Sequence, residues 1–233
     1  MPTHLPPFET LAALVIVIFF AIGLHEYAHC KFADMAGDPT PGIYGRVTLK
    51  LWKHFEPMGT LMMVISSLYG YGIGWGRPAP ANPSKMRNPR WDFFTSVAAG
   101  PISNVVQAVL YALVLRLGMR SGWFIPDDIV EAAFRQSMHF LPALLALGVM
   151  LNLGLAIFNL IPLGPLDGHW LVGLLMPEKQ SILWNQWHRR YGGQILIGVI
   201  LFSQFTGIPI LQRITWPAIS TLFKLLTGVS IDY

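Results

Sequence analysis

Long runs without a charged side chain constrain this sequence more than any other feature. Residues 11–24, 93–115 and 140–160 contain no Asp, Glu, Lys or Arg. About 20 apolar residues are enough for a helix to cross the hydrocarbon core of a bilayer. Charged residues make up 12% of the chain, whereas soluble domains carry roughly 25%. The sequence therefore predicts an integral membrane protein with several spanning helices.

The predicted fold is an all-α membrane protein with about five transmembrane helices. The apolar segments that would form them are 8–32, 93–115, 140–160, 192–205 and 208–226. A further apolar segment, 58–75, contains four glycines and is predicted to be re-entrant rather than spanning. After the first helix, residues 46–51 alternate with period two, which predicts a short β element. We expect one domain over residues 1–233, with a core at 8–175 and C-terminal helices at 192–228.

The first apolar segment ends in a His-Glu-x-x-His motif, formed by His25, Glu26 and His29. On a helix, residues four apart lie on one face, about 6 Å from each other. Two imidazoles at this spacing can bind one zinc ion, and Glu26 can act as the general base on zinc-bound water. Polar core residues could show the same pattern, but ionisable residues inside a membrane segment are costly and usually functional.

A catalytic zinc needs a third protein ligand and one open position. Asp167 is the candidate that we favour, because it follows the uncharged segment 140–160 in a turn rich in Pro and Gly. Taken alone, Asp167 could equally be an ordinary turn aspartate, and its pairing with the histidine motif favours the ligand role. Glu131 and Glu178 are alternatives, although neither lies in a helical context typical of a ligand.

Together these motifs resemble the site-2 proteases, a family of intramembrane zinc metalloproteases. The matching residues are His25-Glu26-x-x-His29, Ala99-Gly100-Pro101-x-x-Asn104, Asn159-x-x-Pro162 and Leu166-Asp167-Gly168. The resemblance implies one Zn²⁺ held by His25, His29 and Asp167, with Glu26 as the catalytic base. It also implies an endopeptidase that cuts transmembrane protein substrates in or near their membrane segments, in regulated intramembrane proteolysis. We expect a compact member without a PDZ or regulatory domain.

Three further residues are candidates for contact with the substrate or its oxyanion. Asn159 could donate such a hydrogen bond, or it could cap its own helix. His54 could border the site or be structural. For Asn104, close packing and interhelical hydrogen bonds are the favoured interpretation. A metal transporter or a catalytically inactive metal-binding scaffold remains the alternative function.

The net charge of +4 is explained by basic residues that flank membrane segments, so no nucleic-acid partner is expected. The expected partners are a transmembrane protein substrate and membrane lipid. The sequence does not predict an oligomeric state.

The metal ligands also predict topology. The two histidines lie near the end of segment 8–32, and Asp167 lies just past the end of 140–160. These ends can meet only if both segments cross in the same direction, with one crossing between them. With the N-terminus outside, 12 of the 16 Lys and Arg residues lie on the inner side, as the positive-inside rule requires. We therefore expect the active site near the cytosolic face of a prokaryotic cell membrane.

Cysteine labelling tests this topology. Single cysteines introduced at positions 40 and 85 should both react with an impermeant reagent from the cytosolic side, because segment 58–75 is predicted to return to the face that it leaves. Inverted vesicles and intact cells provide the two orientations. Reaction of the two positions from opposite sides would contradict either the ligand set or the geometry that joins it.

Overall fold

The computed structural model of the protein describes residues 6–59, 76–134 and 137–231. This part of the chain is helical. Its α-helices are α1 (Phe8–Met35), α2 (Thr40–Ile43), α3 (Pro89–Arg120), α4 (Pro126–Ala133), α5 (Phe140–Asn159), α6 (Asp167–Leu175), α7 (Glu178–Trp187), α8 (Gly193–Thr206) and α9 (Ile210–Thr227). Leu51–His54 and Pro83–Lys85 are single 3₁₀ turns, and His188–Gly192 is a π-helical segment between α7 and α8.

Three of these helices, α1, α3 and α5, are long and apolar enough to cross a membrane. A fourth candidate span is the pair Glu178–Thr206 and Ile210–Thr227, which is bent by 97°. The described part of the chain thus contains three to four candidate spans, fewer than the five predicted. The difference lies in the C-terminal segments, because α8 has 14 residues, whereas a span needs about 20.

Helices α1 and α5 run in the same direction. Near their N-terminal ends, the Thr10 hydroxyl donates a hydrogen bond to the Ser137 carbonyl at 2.7 Å. Further along, Val17 of α1 belongs to the same buried apolar cluster as Ala143 and Leu147 of α5. The two helices therefore carry their C-terminal ends to the same side, as the predicted ligand set requires.

Helix α3 lies between them and runs in the opposite direction. The Ser96 hydroxyl donates to the carbonyl of His29 at 3.0 Å, and the Asn104 amide donates to the carbonyl of Ala21 at 3.0 Å. Ser96 therefore lies beside His29, and Asn104, about two turns later on α3, lies beside the earlier residue Ala21 of α1. The two helices are antiparallel. One crossing separates α1 from α5 in the described part, and it brings the middle of α3 against the histidine motif.

The β element predicted at residues 46–51 is wrong: the described residues contain no β-strand, and 46–51 form turns that lead into a 3₁₀ helix. The guanidinium of Arg46 is buried and donates to the carbonyl of Arg77 at 2.6 Å. A buried cation requires partners nearby, and this need overrides a weak alternating pattern. The described chain instead has one isolated antiparallel bridge, between Phe55 and Gly76.

The loops that follow α1 and precede α3 lie side by side. The buried carboxylate of Asp38 accepts hydrogen bonds from the backbone amides of Thr40, at 2.9 Å, and Asn82, at 2.5 Å. Burial raises the pKa of Asp38, but these hydrogen bonds outweigh it and lower the pKa below its ordinary value. Both loops therefore lie at the same end of the helix bundle. The predicted re-entrant course of 58–75 falls mostly outside the described residues.

Helix α6 begins at Asp167 and packs against the start of α3. Its C-terminal end is held by Arg90, whose guanidinium donates to the carbonyls of Leu174 at 2.8 Å and Met176 at 3.0 Å. Carbonyls at the end of a helix lack partners within the helix, so a cation at this position stabilises it. The aspartate is thus carried by a helix that is fixed to the spanning bundle.

Candidate metal centre

Three electron-pair donors meet where α1, α3 and α6 come together. The Nε2 atoms of His25 and His29 lie 3.0 Å apart. Oδ2 of Asp167 lies 3.2 Å from the first and 3.4 Å from the second. In the described part of the chain, His25, His29 and Asp167 form the group of His, Cys, Asp or Glu side chains whose ligand atoms lie close enough together to hold one metal ion.

The opposite nitrogen of each imidazole faces an oxygen atom. Nδ1 of His25 donates to Oδ1 of Asn104 at 2.6 Å, and Nδ1 of His29 donates to the carbonyl of Ser96 at 2.8 Å. The orientation of the Asn104 amide is fixed, because its nitrogen donates to Ala21 and to Oδ1 of Asn152, the latter at 2.9 Å. Each imidazole therefore carries its hydrogen on Nδ1 and presents the lone pair of Nε2 to the cluster.

The geometry of this cluster fits zinc. Two imidazole lone pairs and a carboxylate oxygen face one another, and Oδ2 of Asp167 has no hydrogen-bond donor among the described residues. A cation at the centre satisfies all three at once. Two ligands of a tetrahedral zinc with bonds of about 2.0 Å lie about 3.3 Å apart, close to the three observed separations. Three protein ligands leave the fourth position open, as in catalytic zinc sites.

Glu26 follows the first histidine on α1. Its Oε2 atom is buried and has no hydrogen-bond partner in the described part of the chain. A Cβ atom added to Gly76 would lie 3.2 Å from Oε1 of Glu26, so the backbone of this glycine packs closely against the carboxylate. Among the described residues, the Glu26 side chain thus lies against Gly76, and its Oε2 atom has no donor and can accept a proton.

Gly100 allows α3 to approach the histidines. A Cβ atom added here would lie 2.3 Å from Nε2 of His29 and 2.7 Å from Nε2 of His25, far inside van der Waals contact. The Ala99-Gly100-Pro101-x-x-Asn104 motif therefore combines two adjacent features: a residue without a side chain against the imidazoles, and one turn later the acceptor for His25.

The other predicted candidates lie outside the three-atom cluster. The amide of Asn159 donates to the carbonyl of Leu155 at 3.0 Å, within its own helix. His54 is fully buried, and its ring nitrogens face the Thr48 carbonyl at 3.0 Å and the Arg46 guanidinium at 3.4 Å. Burial lowers the pKa of His54, and the nearby Arg46 guanidinium acts in the same direction. Contact of Asn159, His54 or Asn104 with a substrate stays a prediction.

The alternative third ligands, Glu131 and Glu178, are exposed on α4 and α7 and do not join the cluster. Two residues that support the site were missed by sequence reasoning. Asn152 is fully buried and accepts the hydrogen bond from Asn104; an Asn inside an apolar segment was the available signal. Ser96 contributes its backbone carbonyl, and a backbone contact leaves no signal in the sequence.

Comparison with known proteins decides the family. A Bacillus subtilis (strain 168) protein named "Putative zinc metalloprotease YwhC" is 30% identical over 227 residues, which are 96% of this chain and 94% of the relative. The chain belongs to the site-2 protease family. A second relative in Mycolicibacterium smegmatis, named "Putative zinc metalloprotease Rip2", is 29% identical over 204 residues, covering 84% of this chain and 70% of the relative. No protein-family model and no solved structure matches the chain.

Membership of the site-2 protease family agrees with the geometry. It is a family of zinc metalloproteases, and the cluster of two imidazoles and one carboxylate accommodates one zinc ion. The similarity to the first relative extends over almost the whole chain, so it includes the C-terminal helices as well as the motifs.

The contact at Gly100 generates a prediction about metal binding. In Gly100→Ala the new methyl group collides with both imidazoles, and we expect zinc affinity to fall by at least about 10-fold, as is common when the groups around metal ligands are disturbed. Gly154→Ala is the control, since its Cβ would meet nothing closer than 3.8 Å. Competition with a chelator measures both affinities. Equal affinity of Gly100→Ala and wild type would contradict this packing.

Proposed function

We propose that the protein is a zinc-dependent intramembrane endopeptidase that hydrolyses peptide bonds in or near the transmembrane segments of membrane-protein substrates. The observation that carries this proposal is the buried Oε2 atom of Glu26, which has no hydrogen-bond partner among the described residues. Glu26 directly follows His25, one of three converging metal-ligand candidates. A structural zinc site needs four closed ligands and no base. Three ligands beside an unpaired carboxylate are typical of a hydrolase.

Within this proposal, His25, His29 and Asp167 hold the zinc ion. When bound, zinc polarises the substrate carbonyl and makes water acidic enough to attack near neutral pH. The hydrogen bond from His25 to Asn104 keeps the Nε2 lone pair aimed at the cluster. Asn104 acts through His25 rather than on the substrate, because its oxygen and nitrogen are both engaged and its side chain is fully buried.

Glu26 moves the proton. As the oxygen of the attacking water bonds to the carbonyl carbon, Oε2 accepts one of its hydrogens. When the bond between carbon and nitrogen breaks, the same carboxyl group passes that proton to the departing amine. The Oε2 atom is itself buried, so the proton that it accepts stays beside the reacting groups and can return to the leaving amine. Asn159 retains one amide hydrogen without a partner among the described residues, and it is our candidate donor to the substrate backbone.

The site lies within the membrane in this proposal, nearer the cytosolic face. His25 is 14 residues beyond Leu11, where the apolar run begins. At about 1.5 Å per residue this corresponds to roughly 21 Å in a hydrocarbon core of about 30 Å. A substrate helix hides its peptide groups in internal hydrogen bonds, so it must unwind locally before a carbonyl reaches the metal.

A transporter is less well supported by the same residues. Transport requires metal-binding groups spread along a path across the membrane, whereas the described part of the chain has one such group at one depth. The polar residues that continue from it, Asn104 and Asn152, present amides that bond to each other and to backbone carbonyls. They stabilise a ligand and offer no second metal site.

Replacing the base separates catalysis from metal binding. Glu26→Gln preserves size and shape but cannot accept the proton, so we expect zinc content to stay at one per chain and peptide hydrolysis to fall by about 10²–10⁴-fold or more. Cleavage of membrane substrates in proteoliposomes measures the activity. Glu131→Gln, on the exposed face of α4, is the matched control. Activity of Glu26→Gln within a few-fold of wild type would exclude this role.

A further inference from the structure

The loop that delivers Asp167 is held by a segment outside all the recognised motifs. Residues 160–166 connect α5 to α6, and the aspartate is the first residue after them. The carbonyl of Pro162 in this loop lies 3.2 Å from Nε2 of His188. His188 begins the π-helical segment His188–Gly192 and is 4% exposed.

A second contact is made by backbone alone. A Cβ atom added to Gly192 would lie 2.5 Å from the carbonyl oxygen and 2.9 Å from Cα of Gly164. The two chain segments therefore touch at a point where only a residue without a side chain fits. The next residue, Gly193, has open space where a Cβ would stand. The first and last residues of the π-helical segment thus contact the same loop.

Helix α7, which precedes the π-helical segment, contacts the residues that follow Asp167. Nε1 of Trp184 donates to the carbonyl of His169 at 2.8 Å, in the first turn of α6. The imidazole of His169 also stacks on that of His188, with ring centroids 5.4 Å apart. π-helical segments are rare and occur frequently at functional sites. Here the segment brings the imidazole of His188 and the backbone of Gly192 against the loop.

We propose that the segment His188–Gly192 is a clamp that positions Asp167 for zinc binding, with His188 and Gly192 as its two contacts. The inference rests on Asp167 being the third ligand in the proposed function. A metal ligand must be held within about 0.5 Å of its working position. The histidines lie within a long helix, whereas Asp167 is the first residue of α6. Its position therefore also depends on the loop before it and on the contacts that hold that loop.

The paired glycines provide the sharpest test. In the full-length, detergent-solubilised chain, Gly192→Ala should bind zinc at least about 10-fold more weakly than wild type in competition with a chelator. Gly193→Ala should bind zinc as wild type does, because its methyl group meets no atom within 4 Å. The two variants add the same methyl group to neighbouring residues, so any general effect of alanine on the helix is common to both.

Substitutions at His188 test the other contact and still apply if Gly192→Ala does not fold. The imidazole of His188 lies between two carbonyls, with Nδ1 2.9 Å from that of Trp184 and Nε2 3.2 Å from that of Pro162. His188→Leu removes both polar contacts and should weaken zinc binding, whereas the amide of His188→Gln can donate to Pro162 and should restore most of the affinity. Loading with Co²⁺ adds a spectroscopic readout. His188→Leu should change the visible absorption of bound cobalt toward that of Asp167→Ala, and His188→Gln should leave it near wild type.

Thermal unfolding measured in parallel separates positioning from simple stabilisation. If folded Gly192→Ala and His188→Leu unfold at lower temperature yet keep wild-type zinc affinity and cobalt spectra, the clamp is refuted. Wild-type affinity without any loss of stability refutes it as well. If the wild-type chain binds zinc but hydrolyses no peptide, the proposed function fails, while the clamp is still judged on its metal-binding readouts.

Discussion

Three facing electron-pair donors in an apolar interior are the constraint on which the rest of this structure depends. Two imidazole nitrogens and a carboxylate oxygen lie within 3.4 Å of one another, an arrangement that a low dielectric makes costly without a cation between them. To bring these atoms together, α1 and α5 must run parallel with one helix between them. The small residue at position 100 and the single described crossing by α3 both follow from this requirement.

The proposed metal ligands are supported from three directions, and each support has a different physical character. Asn104 and Ser96 fix the imidazoles by accepting hydrogen bonds, which sets the tautomer. Gly100 acts by lacking a side chain, which sets the distance between α1 and α3. Contacts from residues 188 and 192 reach the loop before Asp167. The cluster thus depends on contacts from α1, α3 and α6, and the segment His188–Gly192 reaches it through the loop that precedes Asp167.

Sequence reasoning grouped the three residues of the cluster and singled out Gly100 and Asn104 beside it, but it missed Asn152 and Ser96. His25 and His29 were predictable because helical spacing places them on one face. Asp167 was favoured because it follows an uncharged segment in a turn rich in Pro and Gly, and because it pairs with the histidine motif. The predicted strand at 46–51 was wrong, since alternation over six residues cannot reveal that Arg46 is buried against a backbone carbonyl. The role of the π-helical segment could not be predicted either, because it depends on a contact between Gly192 and Gly164, which are far apart along the chain. Residues that act through backbone or through absence of a side chain leave little trace in one sequence.

X-ray absorption at the zinc edge of the purified, zinc-loaded chain tests the central claim most directly. The account predicts a spectrum with only nitrogen and oxygen neighbours at about 2.0–2.1 Å, with the multiple scattering of two imidazole rings, and a clear loss of one oxygen neighbour in Asp167→Ala. A sulfur neighbour at about 2.3 Å, which Cys30 would supply, or an unchanged spectrum in Asp167→Ala would contradict it.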